Sequence, residues 1–278
     1  MKGIDVSKHQ GKIDWAKVQA AGVEFAIIRA GFGKYTFQED TYFRANIAGA
    51  KANDIPVGVY WYSYAVTPTE AREEARVCLK VIEKYREQIT LPVFFDQEYE
   101  KGILALDTPT RTEICRAFME EIQESGYRAG LYCSWDWYQN KVNRDKLAAW
   151  PVWIAQYSAK CRYTGGNLVF WQYSSKGRVD GISGNVDLDE GYDGLFQGKT
   201  GWEKRSGLWY WLENGVPVTS KWVKDNGHRY YLGPDGAMLT GVRKIDGKLY
   251  YLNEAKREGI PEGACVITDK DGAIITDS

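Results

Sequence analysis

Histidine is the scarcest chemically useful residue in this 278-residue chain: there are two, His9 and His228. A zinc site built from several histidines is therefore excluded, and a Ser-His-Asp triad has only those two to draw on. Cysteine offers little more. Cys78, Cys115, Cys133, Cys161 and Cys265 are odd in number and widely spaced, with no C-x-x-C among them. Neither a metal knuckle nor a thioredoxin-type motif is on offer, and buried free thiols are the expectation. Charge of one sign is not in excess: 36 Lys and Arg against 37 Asp and Glu give −1. No global field draws in nucleic acid or an anionic membrane surface, so neither is an expected partner. No apolar run approaches the roughly 18–20 residues of a membrane span. Met1-Lys2-Gly3-Ile4-Asp5 lacks the apolar stretch of a signal peptide and reads straight into a strand, so no leader is expected in this chain unless one has already been removed.

Aromatic residues, by contrast, reach 14%, with 11 Trp and 19 Tyr. Such an excess suits stacking on sugars or on cationic head groups. Hydrophobic residues at 44% and charged residues at 26% describe a chain that can bury a core. At roughly 150 residues per domain, the length predicts one large domain or two unequal ones.

Residues 1–197 alternate short apolar strands with longer amphipathic stretches. The pattern predicts strands over Gly3–Ser7, Phe25–Ala30, Val57–Tyr64, Pro92–Glu98, Ala129–Cys133, Val152–Tyr157, Leu168–Tyr173 and Asn185–Asp189. It predicts helices over Asp14–Ala21, Tyr42–Asn53, Thr69–Tyr85 and Thr110–Ser125, with a weaker one over Trp137–Trp150. Strands alternating with helices predict a parallel sheet, and eight of them close a β/α barrel, irregular where the late helices fade. An open doubly wound sheet is the alternative. It would place a glycine-rich phosphate turn after the first strand, and Val6-Ser7-Lys8-His9 has none.

From residue 198 the period changes. Trp202, Trp222 and Val242 stand 20 apart, as do Tyr210, Tyr230 and Tyr250, and Leu212, Leu232 and Leu252. Each unit reads as an aromatic strand, a turn such as Gly233-Pro234-Asp235-Gly236, and a second short strand. That is an all-β module of stacked hairpins over 198–278, stacked because one hairpin cannot bury its own face. Val266–Thr276 keeps an Asp271-Gly272-Ala273 turn without the aromatics and reads as a terminal cap.

In a β/α barrel the active site lies at the C-terminal ends of the strands. Asp5 ends the first predicted strand, Asp96 and Glu98 end the fourth, and Asp187 lies in the last, which closure sets beside the first. Asp96 and Glu98 are two apart, so on a strand both face one side. Carboxylates held close resist joint ionisation, which keeps one protonated near neutral pH, ready to protonate a leaving oxygen. That is the equipment of a glycosidase. A magnesium-dependent hydrolase competes, since acids at strand ends also hold metals. A non-catalytic glycan-binding protein using the acids as polar ligands is a third reading. Tyr60, Trp61, Tyr62 and Tyr64 in the third strand, Trp153 and Tyr157 in the sixth, and Trp171 and Tyr173 in the seventh support a sugar ligand.

These residues carry a resemblance. Gly3-Ile4-Asp5-Val6-Ser7 with His9-Gln10-Gly11 and Trp15, Tyr60–Tyr62, Asp96-x-Glu98, Trp153-Ile154-Ala155-Gln156-Tyr157, Trp171-Gln172-Tyr173 and Val186-Asp187-Leu188-Asp189 are similar to the motifs of glycoside hydrolase family 25. The resemblance spans residues 1–196. It implies an irregular β/α (TIM-like) barrel and no cofactor or metal. It also implies lysozyme activity, a 1,4-β-N-acetylmuramidase cleaving the β-1,4 bond after N-acetylmuramic acid in bacterial peptidoglycan. Glu98 maps onto the family's general acid, Asp96 onto the partner carboxylate, and Asp5 and Asp187 onto supporting acids. Tyr60, Tyr62, Trp153, Gln156 and Trp171 are the expected substrate contacts. Asp189 stands where the family usually shows Asn. The enzyme would act outside the cell at the wall, as a phage or prophage endolysin released by a holin or as a bacterial autolysin.

The second region resembles cell-wall-binding repeats of the choline-binding type, in which aromatics box a quaternary ammonium. The pattern is eroded: Arg229 occupies the place of Trp209 in the next unit, and Val242 and Leu249 replace both tryptophans in the third. One cage from Trp202, Trp209 and Tyr230 or Tyr231 is expected, with Met238 near it. Choline, another wall component and a homodimer contact stay open as the role of the repeats.

Overall fold

The structure, a computed structural model, describes residues 1–192, 200–205, 208–213, 216–257, 259–268 and 274–276. The chain forms two compact units, Met1–Phe196 and Gln197–Ser278. The expected change of region at 197/198 and the Asp271-Gly272-Ala273 turn lie outside the described residues.

The first unit is a closed eight-stranded barrel. Its elements in order are β1 (Lys2–Val6), α1 (Trp15–Ala20), β2 (Phe25–Phe32), α2 (Phe43–Ala52), β3 (Val57–Tyr62), α3 (Pro68–Ile82), β4 (Ile89–Asp96), α4 (Lys101–Leu104), α5 (Thr108–Glu124), β5 (Ala129–Ser134), α6 (Trp135–Asn140), α7 (Arg144–Leu147), β6 (Val152–Ala155), β7 (Leu168–Gly177) and β8 (Val186–Gly191). The helix starts follow capping chemistry. Thr67 Oγ1 accepts from the Glu70 N–H at 3.2 Å with Pro68 in the first turn of α3, and Asp107 accepts from the Thr110 N–H at 2.8 Å ahead of α5.

The sheet departs from the expected all-parallel order in one place. Strands β1 to β7 pair in parallel, but β8 runs antiparallel to both β7 and β1. The loop from β7 to β8 carries no described helix, so the chain simply turns back on itself, as an antiparallel partner requires. Several limits also shift: β2 runs on to Phe32, β3 stops at Tyr62, β7 runs on to Gly177, β8 spans Val186–Gly191 and α3 spans Pro68–Ile82. β4 ends at Asp96, so Glu98 lies beyond the strand; β6 ends at Ala155; and the weak helix over Trp137–Trp150 is the two short helices α6 and α7.

Alternation divides the barrel into two cores. Outward residues such as Ile4, Val6, Ile28, Val59, Trp61, Val93 and Phe95 pack under the helices. Inward residues Phe25, Ile27, Leu91, Phe94, Tyr132, Trp153 and Phe170 fill the interior. This inner floor needs residues without side chains beside its rings. A Cβ on Gly3 would lie 2.1 Å from the Phe25 ring, and one on Gly130 would lie 2.6 Å from that of Phe94. The rings close the bottom of the barrel, which leaves its upper end for polar groups.

The second unit is a series of antiparallel hairpins: β9 (Gly201–Arg205) with β10 (Leu208–Glu213) and β11 (Val216–Pro217), β12 (Lys221–Asp225) with β13 (His228–Leu232), and β14 (Gly241–Ile245) with β15 (Lys248–Leu252), followed by β16 (Cys265–Thr268) and β17 (Ile274–Thr276). Among the described residues, the turns of the β12–β13 and β14–β15 hairpins are Asn226-Gly227 and Asp246-Gly247, with φ of 48° and 80°, and 49° and 82°. Positive φ at both residues is the turn that matches strand twist. The Gly233–Gly236 turn instead follows β13, between one hairpin and the next.

We expect Gly3→Ala to destabilise the barrel by about 1–3 kcal/mol through overpacking against Phe25. Urea unfolding followed by helical circular dichroism measures it, since every described helix belongs to the barrel. An unchanged midpoint would contradict the packing.

Candidate active site

The inward register of the strands decides what reaches the upper end of the barrel. In β1 it carries Asp5, in β2 Arg29, in β3 Tyr60 and Tyr62, in β4 Asp96, in β5 Tyr132 and in β7 Gln172. The antiparallel β8 pairs Asp187 with Asp5 and Asp189 with Gly3, so both its acids face inward. Because β8 is reversed, Asp187 reaches the upper end from the beginning of its strand.

Burial dominates the electrostatics. Asp96 is 2% exposed, and its Oδ1 accepts no hydrogen bond among the described residues. Desolvation, then the nearby Glu98, hold its proton affinity well above the ordinary carboxylate range, while Arg29 pulls the other way. Glu98 is half-buried, and desolvation followed by Glu100 and Asp187 raises its pKa too. Asp187 is raised by desolvation. Asp5 is raised well above the usual value by burial, then by Asp189 and Asp187, although Gln172 Nε2 donates to its Oδ2 at 2.7 Å. The structure thus brings Asp5, Asp96, Glu98 and Asp187 into one electrostatic group.

The expected substrate contacts divide. Tyr62 stands at the rim, its hydroxyl donating to Glu100 Oε1 at 2.6 Å and its ring beside that of Tyr64. Tyr60 is lower, against Trp153. Trp153 is 1% exposed inside the barrel, where its indole N–H donates to Asp189 Oδ1 at 2.8 Å. It supports the acids rather than offering a face to a ligand. Trp171 alternates with the inward Phe170 and Gln172, so it faces away, and its indole N–H donates to the Gln156 carbonyl. The Gln156 side chain accepts from the Arg162 N–H and holds the loop after β6. Trp171 and Gln156 are not brought together with the acids.

Asp40 and Arg29 of this site escaped the sequence reading, while Gln172 and Asp189 stood in its motifs without a role. Asp40 pairs with Arg29 at 2.7 Å and accepts from the Lys8 and Tyr42 N–H groups. Gln172 accepts from the hydroxyls of Tyr132 at 3.1 Å and Tyr157 at 3.0 Å. Asp189 is fully buried. The signal was available for Arg29 and Gln172: each is a polar residue at an inward register of an apolar strand, and such a residue requires a buried partner.

Comparison with known proteins bears on the family and the fold. The sequence pattern of glycosyl hydrolases family 25 matches residues 4–182. The chain belongs to that family. It is 30% identical over 200 residues to the autolytic lysozyme of Clostridium acetobutylicum, which covers 72% of this chain and 58% of that protein. It is 29% identical over 202 residues to lysozyme M1 of Streptomyces globisporus, covering 68% and 67%. The solved modular autolysin LytC of Streptococcus pneumoniae superposes with a TM-score of 0.61 at 29% identity, over 68% of this chain and 46% of that one. The chain therefore spans little more than half the length of the clostridial relative and less than half of LytC. A choline-binding repeat pattern matches residues 218–256.

In the hairpins of this family 25 member, tryptophan of one unit packs against tyrosine of the next: Trp202 on Tyr230 at 4.8 Å and Trp222 on Tyr250 at 4.9 Å. Of the expected cage, Trp202, Trp209 and Tyr230 come together, with Trp209 6.5 Å from Trp202. Tyr231 does not join them; it packs on Trp222, its cross-strand partner. Trp211, directly opposite Trp202 and 5.3 Å from it, is a wall the sequence reading missed. Two faces already carry a cation: Lys204 lies 5.3 Å from the Trp209 ring, and the Arg229 guanidinium 4.4 Å from that of Trp222.

The raised acids predict a pH dependence of stability. A carboxyl whose folded pKa exceeds its unfolded value binds more protons in the native state, so stability falls as pH rises from the unfolded to the folded value. The window opens at about 4 and extends upward through the raised values of Asp5 and Asp96, the carboxyls that burial holds neutral. The urea midpoint of the helical signal should therefore be lower at pH 8 than at pH 5. The reverse order would contradict neutral buried carboxyls.

Proposed function

We propose that the chain is a peptidoglycan hydrolase, a 1,4-β-N-acetylmuramidase (lysozyme) that cleaves between N-acetylmuramic acid and N-acetylglucosamine. The observation that carries this is the Asp96–Glu98 pair: a half-buried acid with raised proton affinity beside a fully buried carboxyl that has an unpartnered oxygen. Glu98 faces Glu100 and Asp187, which favour its protonated form, and it delivers that proton to the glycosidic oxygen. Asp96 has Arg29 acting on it, which favours its ionised form as positive charge develops on the sugar. Asp187, with Glu100, supplies the field that keeps the donor protonated, and Asp5 stands beside Asp187 on the neighbouring strand as a supporting acid. Tyr62, Tyr64 and Tyr157, the last two 49% and 60% exposed, offer rings to the glycan.

On this reading residues 1–197 are the catalytic barrel and 198–278 the wall-binding module. The enzyme acts at the bacterial wall, as its lysozyme and autolysin relatives by name suggest. No described helix is long and apolar enough to cross a membrane. If the repeats take a quaternary ammonium, Trp202, Trp209 and Tyr230 are the place: the ligand would have to displace Lys204 from the Trp209 face, 5.3 Å away, whereas Arg229 lies closer on Trp222, at 4.4 Å. Val242 and Leu249, 63% and 73% exposed, are the aliphatic face on which a homodimer through the repeats would form.

Glu98→Gln keeps the volume and removes the proton. It should lower hydrolysis of purified peptidoglycan by about 10²–10⁴-fold with the fold intact. Mass spectrometry of the released fragments should place the new reducing end on N-acetylmuramic acid. Activity within threefold of wild type, or a reducing end on the other sugar, would defeat the assignment.

Choline titrated against tryptophan fluorescence tests the box. Binding should not exceed one equivalent per chain, and Trp202→Ala should weaken it by about 1–2 kcal/mol, roughly 5–30-fold. A second equivalent would show that Arg229 does not close the other face.

A further inference from the structure

Asp189 is a fully buried acid that the proposed chemistry does not use. Its Oδ1 accepts from the Trp153 indole at 2.8 Å, while its Oδ2 has no donor among the described residues. What stands against it is Asp5, on the neighbouring strand and within hydrogen-bonding reach. Two buried carboxylates cannot face each other without a proton between them. The remaining oxygen of Asp5, Oδ2, is taken by Gln172 Nε2 at 2.7 Å. Gln172 in turn must aim its Oε1 at the hydroxyls of Tyr132 and Tyr157.

We propose that Asp189 is a positioning residue acting through Asp5. The two carboxyl groups share one proton, and this proton sets the polarity of a hydrogen-bond chain from Trp153 through Asp189, Asp5 and Gln172 to Tyr132 and Tyr157. Asp5 donates through Oδ1 to Asp189 Oδ2, so the charge rests on Asp189, where Trp153 meets it. The Trp153 indole, the Asp5 hydroxyl, the Gln172 N–H toward Asp5 and both tyrosine hydroxyls then each have an acceptor. Because both tyrosines donate inward to Gln172, Tyr157 has no proton to offer the cleft, only what its lone pairs retain beside Ser175. A substrate group that meets it there must be a donor, such as an amide N–H or a hydroxyl.

The other charged and titratable groups facing the pair are Asp187 on β8, Tyr60 on β3, Asp96 on β4, Tyr132 on β5 and Tyr157 after β6. Arg29 on β2 acts on Tyr60 and Asp96 and is itself paired with Asp40. No cation acts on Asp5 among these, so the pair retains its proton. The link to substrate rests on the muramidase reading; the shared proton does not.

Asp189→Asn separates the two. Its amide keeps the acceptor for Trp153 and gives Asp5 a second N–H donor, which favours an ionised Asp5 without a shared proton. Infrared spectra of the full chain at pH 7 should show one neutral carboxyl fewer in the variant. With peptidoglycan, the alkaline limb of kcat/KM should fall more steeply than one proton in wild type and with one proton in Asp189→Asn. An unchanged neutral-carboxyl signal, or superimposable limbs, overturns the proposal. If Asp189→Asn does not fold, Trp153→Phe removes only the donor to Asp189. The neutral-carboxyl band should then persist at a shifted frequency, and an unshifted band overturns the proposal equally. Absence of hydrolysis in wild type would count against the muramidase reading alone, because the infrared signal does not depend on it.

Discussion

Closure of the barrel through an antiparallel eighth strand is the constraint on which the rest of the site depends. The pairing of Asp5 with Asp187 and of Gly3 with Asp189 forces three carboxyl groups to one side of two adjacent strands. The same register leaves Gly3 free of a side chain where the Phe25 ring must lie. Aromatic packing below and acids above are thus consequences of one pairing. Water is kept from the acids by the floor of rings, and desolvation, the first cause of every raised carboxyl here, follows from it.

The polar groups above that floor form two systems. One is Arg29 with Asp40, a buried ion pair held by two backbone N–H groups and acting on Asp96. The other is the chain through Gln172, which ties Asp5 to Tyr132 and Tyr157. The first favours charge on Asp96; in the second Gln172 favours charge on Asp5, but burial, Asp189 and Asp187 outweigh it. Glu98 lies between a burial that discourages its charge and neighbours that repel it. Carboxyls that are alike in sequence are therefore made unlike by their partners.

The hairpin unit obeys a simpler rule. A repeat of 20 residues places tryptophan of one hairpin against tyrosine of the next, and the contact recurs at nearly the same distance. Where the repeat erodes, the aromatic face is met by a cation of the chain itself, as Arg229 meets Trp222. The match to a choline-binding repeat over 218–256 includes this covered face, so the pattern and the capacity to hold a ligand are separate properties.

The sequence by itself determined the eight strands, the barrel, the hairpin period and the four acids, because each is written in local alternation, spacing or motif. The fate of the aromatics was not legible. Trp153, Trp171 and Tyr62 are equally good sugar contacts as residue types, yet the pleat buries Trp153, turns Trp171 outward and leaves only Tyr62 at the rim. Nor could local pattern show that β4 stops at Asp96 or that β8 is reversed, since a short apolar run has no direction. Asp40, Gln172 and Asp189 gained their roles from side-chain partners 11 to 167 residues away. A buried polar group is defined by what satisfies it, and that is decided by tertiary structure alone.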